Sequence, residues 1–291
     1  MPTLEITAMI GCPLKCTFCP QDKLRGLYGK NTKYFTLENF QTVISKVPKH
    51  VRIDFSGMAE PWANPNATKM LRHVLEQGFN VAIYTTLYGM SAENRAEVIS
   101  LLQTHVAQVE VLNLHLPDAK GNMLGWRHSQ EYEQNLTAFV QFGLSGALRR
   151  FEAMTMDSSG EVHPDLQHLG IKLGSFYGHT RAGNVEEQKI GEQAHCATPE
   201  HHSAVVCPFA RFYDNNVCLP NGDVYLCCMD YGLQHKVGNL LTQGYYEMFA
   251  SGGLSALQAE NMQPRFSKES LCKTCDRATL VKVGDSHLMW T

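Results

Sequence analysis

Residues 12–19 read Cys-Pro-Leu-Lys-Cys-Thr-Phe-Cys, CPLKCTFC. Three thiols fall at i, i+4 and i+7 on one short segment, just beyond an apolar run, LEITAMI (4–10). Three thiolates this close can hold a soft metal centre and leave one coordination position open. A [4Fe–4S] cluster normally takes four cysteines, so a set of three leaves one iron free for an exchangeable ligand. A structural zinc site wants a closed shell of four protein ligands, and no fourth is near in sequence. Cys12, Cys16 and Cys19 are therefore candidate cluster ligands. The plainer alternatives are an incomplete zinc knuckle or ordinary buried thiols.

Working outward, strand-like runs recur at VRIDFSG (51–57), NVAIYTTL (80–87), VEVLNLHL (109–116), FEAMTM (151–156) and IKLGSFY (171–177). Between them lie stretches with helical spacing at 36–47, 66–78, 91–105 and 129–143. Thr36 and Ser91 stand where N-caps belong, and Gly78 where a helix stops. Alternation of this kind predicts an α/β fold with a parallel sheet and crossover helices, open or curled into a barrel. In such sheets chemistry gathers at the C-terminal ends of the strands. The three cysteines follow the first strand, and SGMAEP (56–61) follows the second, at the same end.

After about residue 178 the alternation fails, and residues 1–178 and 179–291 read as a main domain and a smaller second unit. VCLPNGDVYLCC (217–228) predicts a β-hairpin turning at Asn221-Gly222. The 291-residue chain has 44% hydrophobic and 18% charged residues and a net charge of −3, ordinary for a globular enzyme. Nothing in that balance draws it to nucleic acid. No apolar run reaches the ~20 residues of a membrane span, and the N-terminus has no secretory signal. The expected location is the cytoplasm. Its ten cysteines form two groups with none between residues 20 and 195. In a reducing compartment such groups favour metal binding over disulfides, and their separation predicts two centres.

C-x3-C-x2-C with an aromatic before the last cysteine resembles the signature of the radical S-adenosylmethionine (SAM) enzymes. The resemblance implies a partial (β/α)6 barrel whose [4Fe–4S] cluster, held by Cys12, Cys16 and Cys19, chelates SAM through its open iron. It implies that SAM is cleaved to a 5′-deoxyadenosyl radical, which takes hydrogen from a substrate. Phe18 would pack beside cluster and adenine. SGMAEP resembles the family's glycine-rich SAM-binding segment, with Ser56 and Gly57 approaching the methionine end and Glu60 meeting its ammonium group. The family's second glycine is replaced by Met58 or Ala59. IYTTLYG (83–89) is similar to a further SAM-touching strand end, with Thr86 in place of asparagine. Asn113 and His115 would reach the ribose, or serve as ordinary polar residues of the barrel mouth. The likeness covers roughly residues 4–177.

Behind it, Cys207-x14-Gly222-x4-Cys227 followed by Cys272-x2-Cys275 resembles Twitch, a truncated form of the SPASM auxiliary-cluster domain. The resemblance implies a second [4Fe–4S] cluster, fully ligated by Cys207, Cys227, Cys272 and Cys275. The longer domain would need further cysteines after Cys275, and none follows. Taken alone, the same spacings serve a four-cysteine zinc site. Cys228 could replace Cys227. Cys196, Cys218 and Cys228 remain as spare thiols, either packed or donating hydrogen to a substrate radical. GHTRAGN (178–184) looks like the loop with which Twitch enzymes reach their substrate, and Arg181 would bind substrate oxygens or serve as a solvated linker residue.

The arrangement resembles the small Twitch enzymes of aminoglycoside formation, the 2-deoxy-scyllo-inosamine dehydrogenase family above all. That implies dehydrogenation or epimerisation at a carbinol carbon of a small hydroxylated or amino-bearing substrate, a sugar or aminocyclitol, with a flavodoxin- or ferredoxin-type reductant. Asp118, Arg127, Asp157 and His179 join the polar candidates of the mouth. Two other readings stay open. One is a peptide maturase relying on a separate leader-binding partner, since nothing precedes the barrel to bind a leader. The other is an iron–sulfur electron carrier, which leaves the open first site unexplained.

Overall fold

The computed structural model describes residues 1–155, 160–174, 180–185, 198–250 and 252–281. Five parallel strands follow the predicted alternation: β1 (Thr3–Ile6), β3 (Arg52–Phe55), β4 (Val81–Thr85), β5 (Val109–Leu116) and β7 (Phe151–Thr155). Two short strands, β2 (Lys15–Cys16) and β6 (Met123–Leu124), pair with each other outside the sheet. The sixth predicted strand is represented by one parallel bridge, Met154 to Gly174; residues 175–177 lie outside the described set.

The crossovers are α1 (Gln21–Tyr28) and α2 (Leu37–Lys46), then α3 (Ala67–Glu76), α4 (Ala92–Thr104) and α5 (Gln130–Leu144). Thr36, Ser91 and Ser129 each accept a hydrogen bond from the backbone N–H three residues on, at 3.1 Å. Each satisfies a donor that the helix start would otherwise orphan. Gly78, at φ 82°, ends the α3 turn in a conformation that favours glycine.

Strand residues alternate between two faces. Leu4, Ile6, Ile53, Phe55, Val81, Ile83, Leu112 and Leu114 point one way and are buried. They pack in one core with Phe40, Val43, Leu71, Val74, Leu102, Leu136 and Phe139 of the helices. Burying each such side chain contributes ~1.5–3 kcal/mol, which holds the helices on that face. The opposite set is polar: Glu5, Asp54, Tyr84, Asn113 and His115. Its floor, at the N-terminal end of the strands, is closed by Arg52. That guanidinium donates to both Asp54 oxygens at 2.6 and 2.7 Å and to Glu110 at 3.2 Å. The C-terminal end remains as the mouth.

The second unit contains β8 (Val205–Val206), β9 (Asn215–Cys218), β10 (Asp223–Tyr225) and β11 (Lys236–Asn239). After these come α6 (Tyr245–Phe249), α7 (Gly252–Asn261) and β12 (Thr279–Leu280), the last pairing with β8. β9 lies parallel to β1, with Ile6 opposite Cys218, so a single eight-stranded sheet runs β11-β10-β9-β1-β3-β4-β5-β7. The failure of alternation near residue 178 thus marks a change of pattern, while the sheet continues through the hairpin. The hairpin turns over Leu219–Gly222, where Gly222 sits at φ 80° and a Cβ would come within 2.5 Å of Leu241. No described helix is long and apolar enough to cross a membrane.

Candidate active site

The cysteine loop is pinned from three sides. β2 pairs with β6, and Thr17 bonds Asn122 through its backbone N–H (2.9 Å) and its hydroxyl (3.1 Å). The Gln21 side chain accepts from the Cys12 N–H at 3.4 Å and donates to the Met58 carbonyl. That one amide ties the cysteine loop to the 56–61 loop. Cys12, Cys16 and Cys19 are each half-buried, with Phe18 half-buried between Cys16 and Cys19.

Burial pushes the Cys12 thiol up to about 12, although the backbone N–H groups of Glu60 and Leu14 favour its thiolate. Cys16 is pushed up further by burial, then by Cys19 and Cys12. Thiolates crowded in this way need positive charge among them, which an iron centre supplies while displacing their protons. The donor set of three soft ligands on one loop fits an open [4Fe–4S] cluster.

The 56–61 loop adopts the shape the sequence implies, with different partners. Gly57 stands at φ 70°, and a Cβ there would lie 2.5 Å from the Thr7 hydroxyl oxygen. Thr7 in turn accepts from the Met58 N–H at 3.1 Å. The Ser56 hydroxyl (2.9 Å) and the Gly57 N–H (3.3 Å) both donate to Glu5. Glu60 is engaged within the protein. Its carboxylate accepts from the Trp62 N–H (3.1 Å), the Thr85 hydroxyl, the Thr86 N–H and the Thr86 hydroxyl (each 2.6 Å). A carboxylate offers about four lone-pair positions, and these four donors occupy them here. Glu60 is a buried tie between the ends of β3 and β4, and burial raises its pKa against those four bonds. Thr86, expected to touch SAM, spends its hydroxyl on that tie.

Asn113 donates to Glu152 at 3.0 Å, while its carbonyl oxygen is buried without a partner, free to accept from a ligand hydroxyl. His115 sits beside Tyr84, with ring centroids 6.3 Å apart. Burial, then the Arg181 charge, lower its pKa to about 4, so it is neutral at pH 7. Asp118 is likewise engaged: it is buried and accepts from the Lys120 and Asn122 backbone and the Asn122 side chain, so it holds a turn. Arg127 is exposed and donates to the neighbouring Trp126 carbonyl. Asp157, His179 and Cys196 lie outside the described residues.

Arg181 and Ala182 both adopt φ 52°, a left-handed conformation costing ~1–2 kcal/mol per residue. Strain of that kind persists where the surroundings impose it, often at functional sites. The Arg181 guanidinium stacks 5.7 Å from the Tyr231 ring centroid and reaches the Met229 sulfur at 4.0 Å. Its Nε is buried without a partner. The charges that act on it come from Tyr231, Cys19, Cys228 and Glu5, so the side chain stands between the two cysteine groups.

Cys207, Cys227, Cys228, Cys272 and Cys275 line one cavity of about 310 Å³ together with Glu5. Among the described residues no three potential ligands converge on a single metal ion. Burial pushes Cys272 up to about 12 and Cys275 up to about 11, and Cys227 well up. Cys227 is raised further by Cys228 and Cys272, whereas Cys228 meets Glu5 and Arg181. Cys228 lines the same cavity as Cys227 and is set apart from it by its neighbours Glu5 and Arg181. Of the two readings of Cys218 the structure favours the packed one: it lies fully buried in the main core, its thiol directed at the Leu219 carbonyl.

Sequence reasoning overlooked Glu5, Gln21 and Tyr231. A carboxylate between the buried apolar residues Leu4 and Ile6 was the readable signal for Glu5. Nothing local marks the other two, whose partners lie 37 and 212 residues away.

Residues 207–276 match the SPASM iron–sulfur cluster-binding domain. No curated protein matches the chain by sequence. Among solved structures, BtrN in complex with AdoMet and 2-DOIA is similar, at 14% identity and a TM-score of 0.59, covering 97% of this chain and 94% of BtrN. Native anSMEcpe with bound AdoMet is similar at 14% identity and a TM-score of 0.55, covering 94% and 86%. The same protein with AdoMet and the Cp18Cys peptide gives 13% identity and a TM-score of 0.52, covering 94% and 86%. The chain has the fold of radical SAM enzymes with a C-terminal SPASM/Twitch-type domain.

Proposed function

We propose that the chain is a radical SAM enzyme that takes hydrogen from a carbinol-type C–H of a small substrate bearing hydroxyl or amino groups. Cys12, Cys16 and Cys19 would hold the SAM-binding cluster, and Cys207, Cys227, Cys272 and Cys275 the auxiliary one. When bound, the first cluster with SAM supplies a 5′-deoxyadenosyl radical, fed by an external one-electron donor, and the second cluster supplies an electron acceptor. The observation that supports this reading is the polar mouth between the two thiol sets, which contains Glu5, Asn113, His115, Arg181 and Cys228.

Each of these residues has a chemical use. The unpartnered Arg181 Nε is a charge-assisted donor for a substrate oxygen. Glu5, steadied by Ser56 and Gly57, has acceptor capacity left for the proton of a substrate hydroxyl. Neutral His115 can accept or donate without adding charge. Cys228 faces Glu5 and Arg181, so its thiol sets the outcome. If it gives a hydrogen atom to the substrate radical, the configuration inverts. If the radical loses a proton and an electron instead, a carbonyl forms.

The test is anaerobic incubation of reduced protein with SAM in deuterated water, against a panel of sugars, polyols and aminocyclitols. We expect 5′-deoxyadenosine in proportion to product. Deuterium in an epimeric product, lost in Cys228→Ala, identifies epimerisation; a carbonyl product without deuterium identifies dehydrogenation. Turnover with nothing in the panel contradicts the substrate class.

A further inference from the structure

The segment Cys227-Cys228-Met229-Asp230-Tyr231 begins at a thiol of the auxiliary cavity and ends against the N-terminal cysteine loop. The Tyr231 hydroxyl lies 3.7 Å from the Cys19 sulfur. Its side chain is 1% exposed and belongs to an apolar cluster with Ile10, Leu24, Tyr28, Met58, Val217, Leu219 and Tyr225. The ring thus has almost no room to move the hydroxyl off that sulfur.

The backbone of the segment is equally fixed. The Asp230 N–H donates to the Cys227 carbonyl at 3.0 Å, and the Tyr231 N–H donates to the Met229 carbonyl at 2.9 Å. The Asp230 carboxylate accepts from the Gln234 and His235 N–H groups at 2.9 and 2.8 Å. Asn184 donates to the Met229 carbonyl at 3.0 Å and accepts from Lys23 at 2.6 Å, a second tie from this segment to α1. The Arg181 guanidinium lies over the Tyr231 ring, 5.7 Å from its centroid.

We infer that Tyr231 is a positioning residue of the first cluster: its hydroxyl donates to the Cys19 sulfur, so the auxiliary-cluster segment helps to set the first cluster's reduction potential. This rests on the reading that Cys12, Cys16 and Cys19 hold an iron–sulfur cluster. A cysteine that ligates iron is a thiolate and can only accept, so the hydroxyl must be the donor. A donor dipole pointing at a ligand sulfur favours the more electron-rich, reduced cluster, and hydrogen bonds to sulfur are among the protein's means of tuning such clusters. Removing the donor lowers the potential and makes the first electron harder to deliver.

The experiment is an EPR-monitored redox titration of the full-length, two-cluster protein, comparing the parent chain with Tyr231→Phe. Tyr225→Phe, in the same apolar cluster and without a cysteine partner among the described residues, controls for packing. We expect the first cluster's midpoint potential to move to more negative values in Tyr231→Phe, with the auxiliary cluster and Tyr225→Phe unmoved. Preferential loss of the first cluster, with half the iron retained, supports the same role by a stronger route. An unshifted potential with both clusters loaded overturns the inference, as does equal behaviour of the two variants. Failure of the underlying reading has a different signature: a Cys12/Cys16/Cys19 triple alanine variant that keeps all its iron.

Discussion

Cys16→Ala protein, reconstituted anaerobically, is expected to carry half the iron and sulfide of the parent chain and to form no 5′-deoxyadenosine from SAM. Cys16 is the central thiol of the loop, and its neighbours in charge are Cys19 and Cys12. Two thiols left on that loop cannot hold a cubane, and no other described cysteine stands with them. The auxiliary set lies around its own cavity, with Cys272 and Cys275 influenced by Cys207 and Cys227 influenced by Cys272. It should therefore load normally, and its visible absorption and EPR signal should persist. Iron and sulfide analysis with chromatographic assay of SAM products checks both halves. Full iron content or surviving SAM cleavage would contradict the ligand assignment.

Glu60→Ala is expected to destabilise the fold by ~3–5 kcal/mol, because it removes the charged acceptor shared by several buried donors. The Thr85 hydroxyl, the Thr86 N–H and the Trp62 N–H all lose their partner. A Tm lower by ~10 °C should follow for a chain of this size. Were Glu60 instead a ligand for SAM, the variant would melt normally and show only a weaker affinity for SAM. Glu60→Gln should fall between the parent and the alanine variant. It retains one accepting oxygen but turns an NH2 group toward the remaining donors. Thermal unfolding of the three proteins, followed by circular dichroism, distinguishes the two roles.

The barrel was legible because its strands and helices carry their own signals. Leu4, Ile6, Ile53 and Phe55 alternate with polar partners, and Thr36, Ser91 and Ser129 begin helices where their side chains satisfy orphan N–H groups. α1 left no such trace. It has no side-chain N-cap, has Gly26 in its interior, and buries only Gln21, Leu24 and Tyr28. The two cysteine groups were legible because local spacing alone defines them. The partners of Glu60 were not, since its role depends on Thr85 and Thr86, brought over it by the pairing of β3 with β4. Nor could spacing tell Cys218 from Cys228. The difference lies in register: Cys218 faces Ile6 across β1 and is sealed in the core, whereas Cys228 lies past the end of β10 and meets Glu5. The seam between β9 and β1 was likewise invisible, because a parallel pairing across more than two hundred residues has no local signature.

The most direct measurement is the EPR spectrum of a variant lacking the auxiliary cysteines, dithionite-reduced, before and after addition of SAM. With only the Cys12/Cys16/Cys19 centre present, the account predicts that the g-values shift on addition as a ligand takes the vacant iron position. A spectrum indifferent to SAM, from a centre with a full complement of iron and sulfide, would contradict it.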